Sequence, residues 1–98
     1  MPLPCGMVKK YSSAELAREL PALPGWSVAG GRLRRSWKFE GFVEAVAFVD
    51  RLVPVAEEWE HHPDVHIHYD EVTLELWTHS EDAVTEWDVG LAKELSKL

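Results

Sequence analysis

His61, His62 and Pro63 stand together in this chain, with Glu57 four residues before His61 and His79 eighteen residues after it. An imidazole changes charge near neutral pH, so three of them beside a carboxylate can give and take protons on a reacting molecule. Glu57 and His61 are i and i+4 and share a face if helix persists that far; a carboxylate there favours the imidazolium. Each piece also has a plainer role. Glu57–His61 can be a surface pair, with histidines that suit the negative end of a helix. His79 can be a solvated loop residue, and Asp88 the third residue of a helix cap. His66 and His68 add a His-x-His pair on one strand face, which can ligate a metal. No second pair has the usual ligand spacing, and the single cysteine, Cys5, is distant. There is no glycine-rich phosphate loop, nucleophile elbow or Cys-x-x-Cys, so nucleophilic catalysis by Ser or Cys has no support.

These side chains need elements to position them. Residues 1–11 read as a loose N-terminus. Ser12 and Glu15 can form a capping box for a helix over Ser13–Leu20, which Pro21 stops. A strand over Trp26–Val28 turns at Gly30-Gly31, where positive φ is cheap, into a strand over Arg32–Phe39. Its odd positions are Leu33, Arg35, Trp37 and Phe39, with Arg35 the one polar breach. Gly41 opens a long helix whose inward stripe is Phe42, Ala45, Val49, Leu52, Ala56 and Trp59. Pro54 inside it costs about 3 kcal/mol in a regular interior, which predicts a kink near residues 50–54 or a break into two helices. Pro63 ends the segment. Val65–Tyr69 and Val72–Trp77 alternate as two strands around an Asp70-Glu71 turn. Trp77, opposite in face to Val72 and Leu74, packs under a helix or at an oligomer interface. Thr85 and Asp88 form a second capping box, and the last helix carries an inward stripe of Val84, Leu91, Leu95 and Leu98. Asp88 falls on that stripe, an unusual place for a carboxylate. The order is (α)ββαββα: one α+β domain over residues 1–98, in two layers, with a four-stranded antiparallel sheet and its helices packed on one face.

Composition narrows the function classes. Hydrophobic residues are 46% and charged residues 28%, the balance of a globular domain. The net charge of −7 disfavours nucleic acid, which wants a basic face. One cysteine cannot form an internal disulfide, so Cys5 reads as an idle thiol and a reducing, cytoplasmic home as the simpler one. No apolar run approaches membrane-spanning length, and no signal-peptide core is seen. Five tryptophans suit a ring-rich core or an aromatic interface.

The spacing Glu57-x3-His61-His62-Pro63-x5-Tyr69-x9-His79-x8-Asp88 resembles the signature of the pterin-4a-carbinolamine dehydratases. The likeness extends outward through Trp26, Leu33, Arg35, Phe39, Phe42, Phe48, the Thr78-His79 step and Leu91-Ala92, and covers about residues 10–98. It implies the sheet-and-helix fold reached above and a hydro-lyase reaction. Water leaves a 4a-hydroxytetrahydropterin to give the quinonoid dihydropterin, recycling tetrahydropterin with no cofactor or metal. By resemblance His61 and His79 are the acid and base, His62 positions substrate, and Glu57 orients His61. Thr78, Asp88 and Tyr69 join His62 in holding the pterin. A homodimer or homotetramer and a protein partner are also implied. Some members act as dimerisation cofactors or regulators, and a place in molybdopterin metabolism is a third setting. The chain departs from the pattern at Val65, where many members carry Trp, at Pro54, at Ala83 for a common Gly, and at Glu60 for the usual Asp or Asn.

Overall fold

A computed structural model describes residues 9–98. Cys5 and the first part of the expected loose terminus lie outside the described residues. Three α-helices and four strands follow one another as α1 (Ser13–Glu19), β1 (Ser27–Ala29), β2 (Arg32–Lys38), α2 (Phe42–Trp59), β3 (Asp64–His68), β4 (Glu71–Leu76) and α3 (Glu86–Leu95). The α+β order is as expected. The strands form one antiparallel sheet in the order β1-β2-β4-β3. The second hairpin therefore pairs through β4 with β2 and leaves β3 at the edge.

The sheet face built from Leu33, Val72, Leu74 and Leu76 is completely buried. Ala45, Phe48, Leu52 and Ala56 of α2 cover it at three- and four-residue steps, and α3 adds Val89, Leu91, Ala92 and Leu95. Each large side chain among them contributes about 1.5–3 kcal/mol by leaving water. Phe42 and Leu98, both assigned to inward stripes, are instead exposed. They stand at the first residue of α2 and beyond the end of α3. Arg35, the polar breach, is accommodated at the rim. Its guanidinium carbon lies 4.5 Å from the Trp37 ring centroid, and Nη1 donates to Ser96 Oγ at 3.2 Å.

Both capping boxes form, with Ser12 at the start of α1 and Thr85 at the start of α3. The α-helix ends at Glu19, and Leu20–Ala22 continues as a single 3-10 turn around Pro21. Gly30 and Gly31 have φ of 59° and 75°, the double positive-φ turn that a two-residue hairpin needs.

Several expectations are corrected. Pro54 does not break α2 into two; the helix runs unbroken over eighteen residues. Pro54 is exposed on it, so its ring displaces no core side chain, and the buried stripe on either side keeps its register. The helix stops at Trp59 rather than at Pro63. Glu60 takes the left-handed conformation (φ 51°), and the His61 N–H reaches back to Ala56 O at 3.1 Å. The β3–β4 turn is Tyr69-Asp70, one residue earlier than expected, with Tyr69 at φ 54°. Residues 9–11 are tied down: Lys10 bridges Thr85, Tyr11 N–H donates to Val84 O at 2.9 Å and Glu86 N–H to Lys9 O at 3.0 Å. Trp77 is partly buried against the core and lies against Arg32 and His79.

Candidate active site

The left-handed turn at Glu60 decides the site. It swings the chain out of α2, so His61 no longer continues the Glu57 face of the helix. Glu57 instead pairs with His62, its Oε2 meeting His62 Nε2 in an exposed contact. The expected Glu57–His61 pair is thereby replaced. His61 turns inward, with its side chain only 12% exposed, and its Nε2 lies 2.5 Å from Asp88 Oδ1.

Asp88 is 0% exposed, and a buried carboxylate is tolerated only when its oxygens have donors. They do. Oδ2 accepts the Thr85 backbone N–H and the Thr78 hydroxyl, each at 2.8 Å. A threonine hydroxyl has a single proton, so Thr78, having given its own to Asp88, accepts from Thr85 Oγ1 across 2.7 Å. Thr85 Oγ1 in turn accepts the Trp87 N–H at 3.3 Å. A carboxylate only accepts, so His61 presents Nε2–H to it, and in the neutral ring the lone pair is then on Nδ1. Capping of α3 and anchoring of His61 use the same residue. That explains a carboxylate on the inward stripe.

Around this anchor lies an open cleft of about 440 Å³, lined by Glu60, His61, His62, Pro63, Asp64, Thr78, His79, Ser80 and Trp87. This volume is in the range of small-molecule sites. His79 stands in the 3-10 turn His79–Glu81. Its ring stacks on Trp77 with centroids 4.0 Å apart, and its Nε2 lies 3.9 Å from Asp64 Oδ1. Trp87 closes one side, its ring centroid 5.9 Å from that of His61. Its Nε1–H is buried with no hydrogen-bond partner among the described residues.

The structure thus brings His61, His62, Thr78 and His79 to one cleft, with Asp88 directly behind His61 and Glu57 behind His62. Tyr69 is not with them. It is 70% exposed and lies five residues along the chain from Asp64, roughly 16 Å at a strand's rise per residue. Asp64, Ser80, Trp87 and Trp77 were missed. Asp64 stood next to His-His-Pro and could have been suspected as a second carboxylate. Trp77 stands two residues before His79 and could have been suspected as its neighbour, whereas the approach of Trp87 to His61, far from it in sequence, left no periodic signal. His66, half of the His-x-His pair, lies 3.4 Å from Glu75 Oε1 on the outer face of the sheet. Among the described residues no group of three or more His, Cys, Asp or Glu is placed to hold a metal ion. No helix among them is long and apolar enough to cross a membrane.

A two-layer α+β fold here brings imidazoles and carboxylates together at a helix end. The chain belongs to the Pterin 4 alpha carbinolamine dehydratase family, whose profile matches residues 9–98. A relative from Sulfolobus acidocaldarius, provisionally named a pterin-4-alpha-carbinolamine dehydratase, is 44% identical over 91% of this chain and 98% of its own. A Thermomicrobium roseum relative of the same provisional name is 43% identical, over 91% and 96%. A solved Brucella melitensis structure, described as a transcriptional coactivator/pterin dehydratase, superposes with a TM-score of 0.83 at 35% identity, covering 91% of this chain and 97% of that one.

Proposed function

We propose that this protein dehydrates a 4a-hydroxytetrahydropterin to the quinonoid dihydropterin, recycling tetrahydropterin, with its histidines as general acid and base. The observation that carries this reading is the convergence of His61, His62 and His79 on one cleft, with the His61 ring held by a buried Asp88. Two proton movements are needed. The C4a–O bond breaks as a general acid protonates the leaving hydroxyl, which departs as water. The N5–H proton passes to a base as the C4a=N5 double bond forms. His61 and His79, on separate elements, suit these two tasks, and the buried Asp88 behind His61 holds its ring in place. His62, paired with Glu57 at the cleft mouth, positions the pterin. Thr78 and Asp88 serve the substrate through the His61 network, and Tyr69 reaches it only if a second chain presents it. That bears on self-association. Val65 and Ile67 on the edge strand and Phe42, Val43 and Val53 on α2 are exposed apolar residues, which supports a homodimer or homotetramer.

The test is a direct dehydration assay, with pH–rate profiles of His61→Ala, His62→Ala and His79→Ala. His61→Ala and His79→Ala are each expected to lower kcat by about 10²–10⁴-fold and to remove one limb of the profile. His62→Ala is expected to raise KM more than it lowers kcat. Near-wild-type kcat in all three would sink the assignment. No acceleration over buffer by the unmutated protein would favour the second reading, a regulatory binding protein. That reading is supported by the coactivator description of the Brucella melitensis structure.

A further inference from the structure

We infer that Trp77 is a positioning residue for His79, fixing the imidazole against its indole and the Asp64 carboxylate beside it. The inference rests on the acid/base reading of His79 given above.

His79 has a problem that His61 does not share. Its side chain is 63% exposed, and its closest carboxylate oxygen is 3.9 Å away, beyond hydrogen-bond reach. An exposed side chain changes rotamer on the picosecond-to-nanosecond scale. A general acid or base must meet its proton at about 3 Å. Something has to hold the ring, and the indole of Trp77 lies against it with centroids 4.0 Å apart and planes inclined by 27°.

The backbone explains why these two rings meet. Thr78 between them is extended (φ −98°, ψ 106°). In an extended chain, residues i and i+2 point the same way and the one between points oppositely. Thr78 therefore goes inward to Asp88, while Trp77 and His79 emerge side by side. The same three residues supply both halves of the acid/base machinery: the inward one steadies His61, and the outward pair presents His79.

Trp77 is itself held. The Arg32 guanidinium lies 4.1 Å from its ring centroid, and Arg32 Nη1 lies 3.8 Å from Glu75 Oε1 on the neighbouring strand. The indole Nε1–H donates to Asp64 Oδ2 at 3.1 Å. That leaves Oδ1 of the same carboxylate as the oxygen closest to His79. One side chain thus touches both members of the His79–Asp64 pair, and a guanidinium anchored on the sheet presses against it. Stacking with an aromatic ring adds a modest preference beyond area burial. That is enough to select one rotamer of an exposed histidine and too little to determine the fold.

The experiment combines NMR of the histidine ring protons with steady-state dehydration kinetics, on the unmutated protein, Trp77→Phe and Trp77→Leu. His79 resonances are assigned by their loss in His79→Gln. Carbon-bound ring protons stacked on an indole are shifted upfield. Trp77→Leu is expected to move them to the positions of a solvated histidine, and to lower kcat about tenfold with KM changed less than about threefold. Trp77→Phe keeps a ring face and lacks the N–H, and is expected to recover most of the lost kcat. His79 resonances that stay in place in Trp77→Leu overturn the inference. So does an unchanged kcat in a variant whose resonances have moved. An unmutated protein without dehydratase activity overturns the functional reading instead, and the ring resonances then decide by themselves whether the indole holds His79.

Discussion

Asp88 is the residue on which the site turns. Its Oδ2 accepts from Thr78 and Thr85, and its Oδ1 faces His61. Asp88→Asn keeps the shape and replaces one acceptor oxygen by a donating NH2, so either His61 or the threonine pair loses its acceptor. The expected outcome is a loss of about 2–4 kcal/mol in denaturant unfolding and a fall in kcat of about 10²-fold. A variant with unchanged kcat would separate Asp88 from the chemistry and leave it a structural cap. Much of this residue was legible in the sequence. A carboxylate on an inward helical stripe, three residues after a capping threonine, asks for a buried donor. Its partner was not legible. The i,i+4 rule assigned His61 to Glu57, and only the left-handed Glu60, a glutamate without any sequence signature for that conformation, sends His61 to Asp88 instead.

The elements carry their own tests. Where α2 and α3 meet, Gly90 faces the Trp59 ring so closely that an added Cβ would stand 2.4 Å from Cη2 and 2.6 Å from Cζ3. Alanine normally stabilises a helix interior by about 1 kcal/mol relative to glycine. Gly90→Ala is expected to do the opposite and cost about 1–3 kcal/mol by overpacking. Trp59→Leu in the same chain should recover part of that loss, which a double-mutant cycle measures as coupling. At α1, the Ser12 backbone N–H, then Lys9 and the Ser12 hydroxyl, hold the Glu15 carboxyl below the ordinary glutamate range. A depressed carboxyl stabilises above its unfolded value and loses that contribution as pH falls through the folded one. Acid titration followed on the Ser12 amide should therefore show α1 losing its cap below the ordinary glutamate pKa. Helix starts were readable because Ser12–Glu15 and Thr85–Asp88 are local. Of the kink or break expected at Pro54, the break does not occur, because propensity is a local penalty, while the Ala45, Phe48, Leu52 and Ala56 stripe is a tertiary gain that outweighs it. Strand pairing β2-β4 depends on contacts across more than thirty residues, and no pattern within either strand announces it.

For the molecule as a whole, edge strand β3 is where self-association is tested. Exposed Val65 and Ile67 lie on a strand that, among the described residues, pairs on one side only, with β4, and so form a template for another strand. Sedimentation should give a multiple of the 11.2 kDa chain mass, reduced in Ile67→Lys; a monomer in both cases would remove β3 as an interface. Finally, the pairing of residues 9–11 with Val84–Glu86 has a consequence for slow motions. The Thr85 amide that binds Asp88 lies between Val84 and Glu86, which are both paired to residues 9–11. A transient detachment there need not disturb the sheet, yet it uncaps α3 and releases the carboxylate behind His61. The amides of Tyr11, Thr85 and Glu86 are therefore expected to exchange with solvent deuterium as one cooperative unit, sooner than those of β4. Burial, and then Glu19, raise the Tyr11 phenol above the ordinary tyrosine range. Its contribution is complete below that range and is lost as pH rises through the raised value. Alkali should thus hasten exchange in this unit first, making it the breathing mode that sets how long Asp88 stays fixed behind His61.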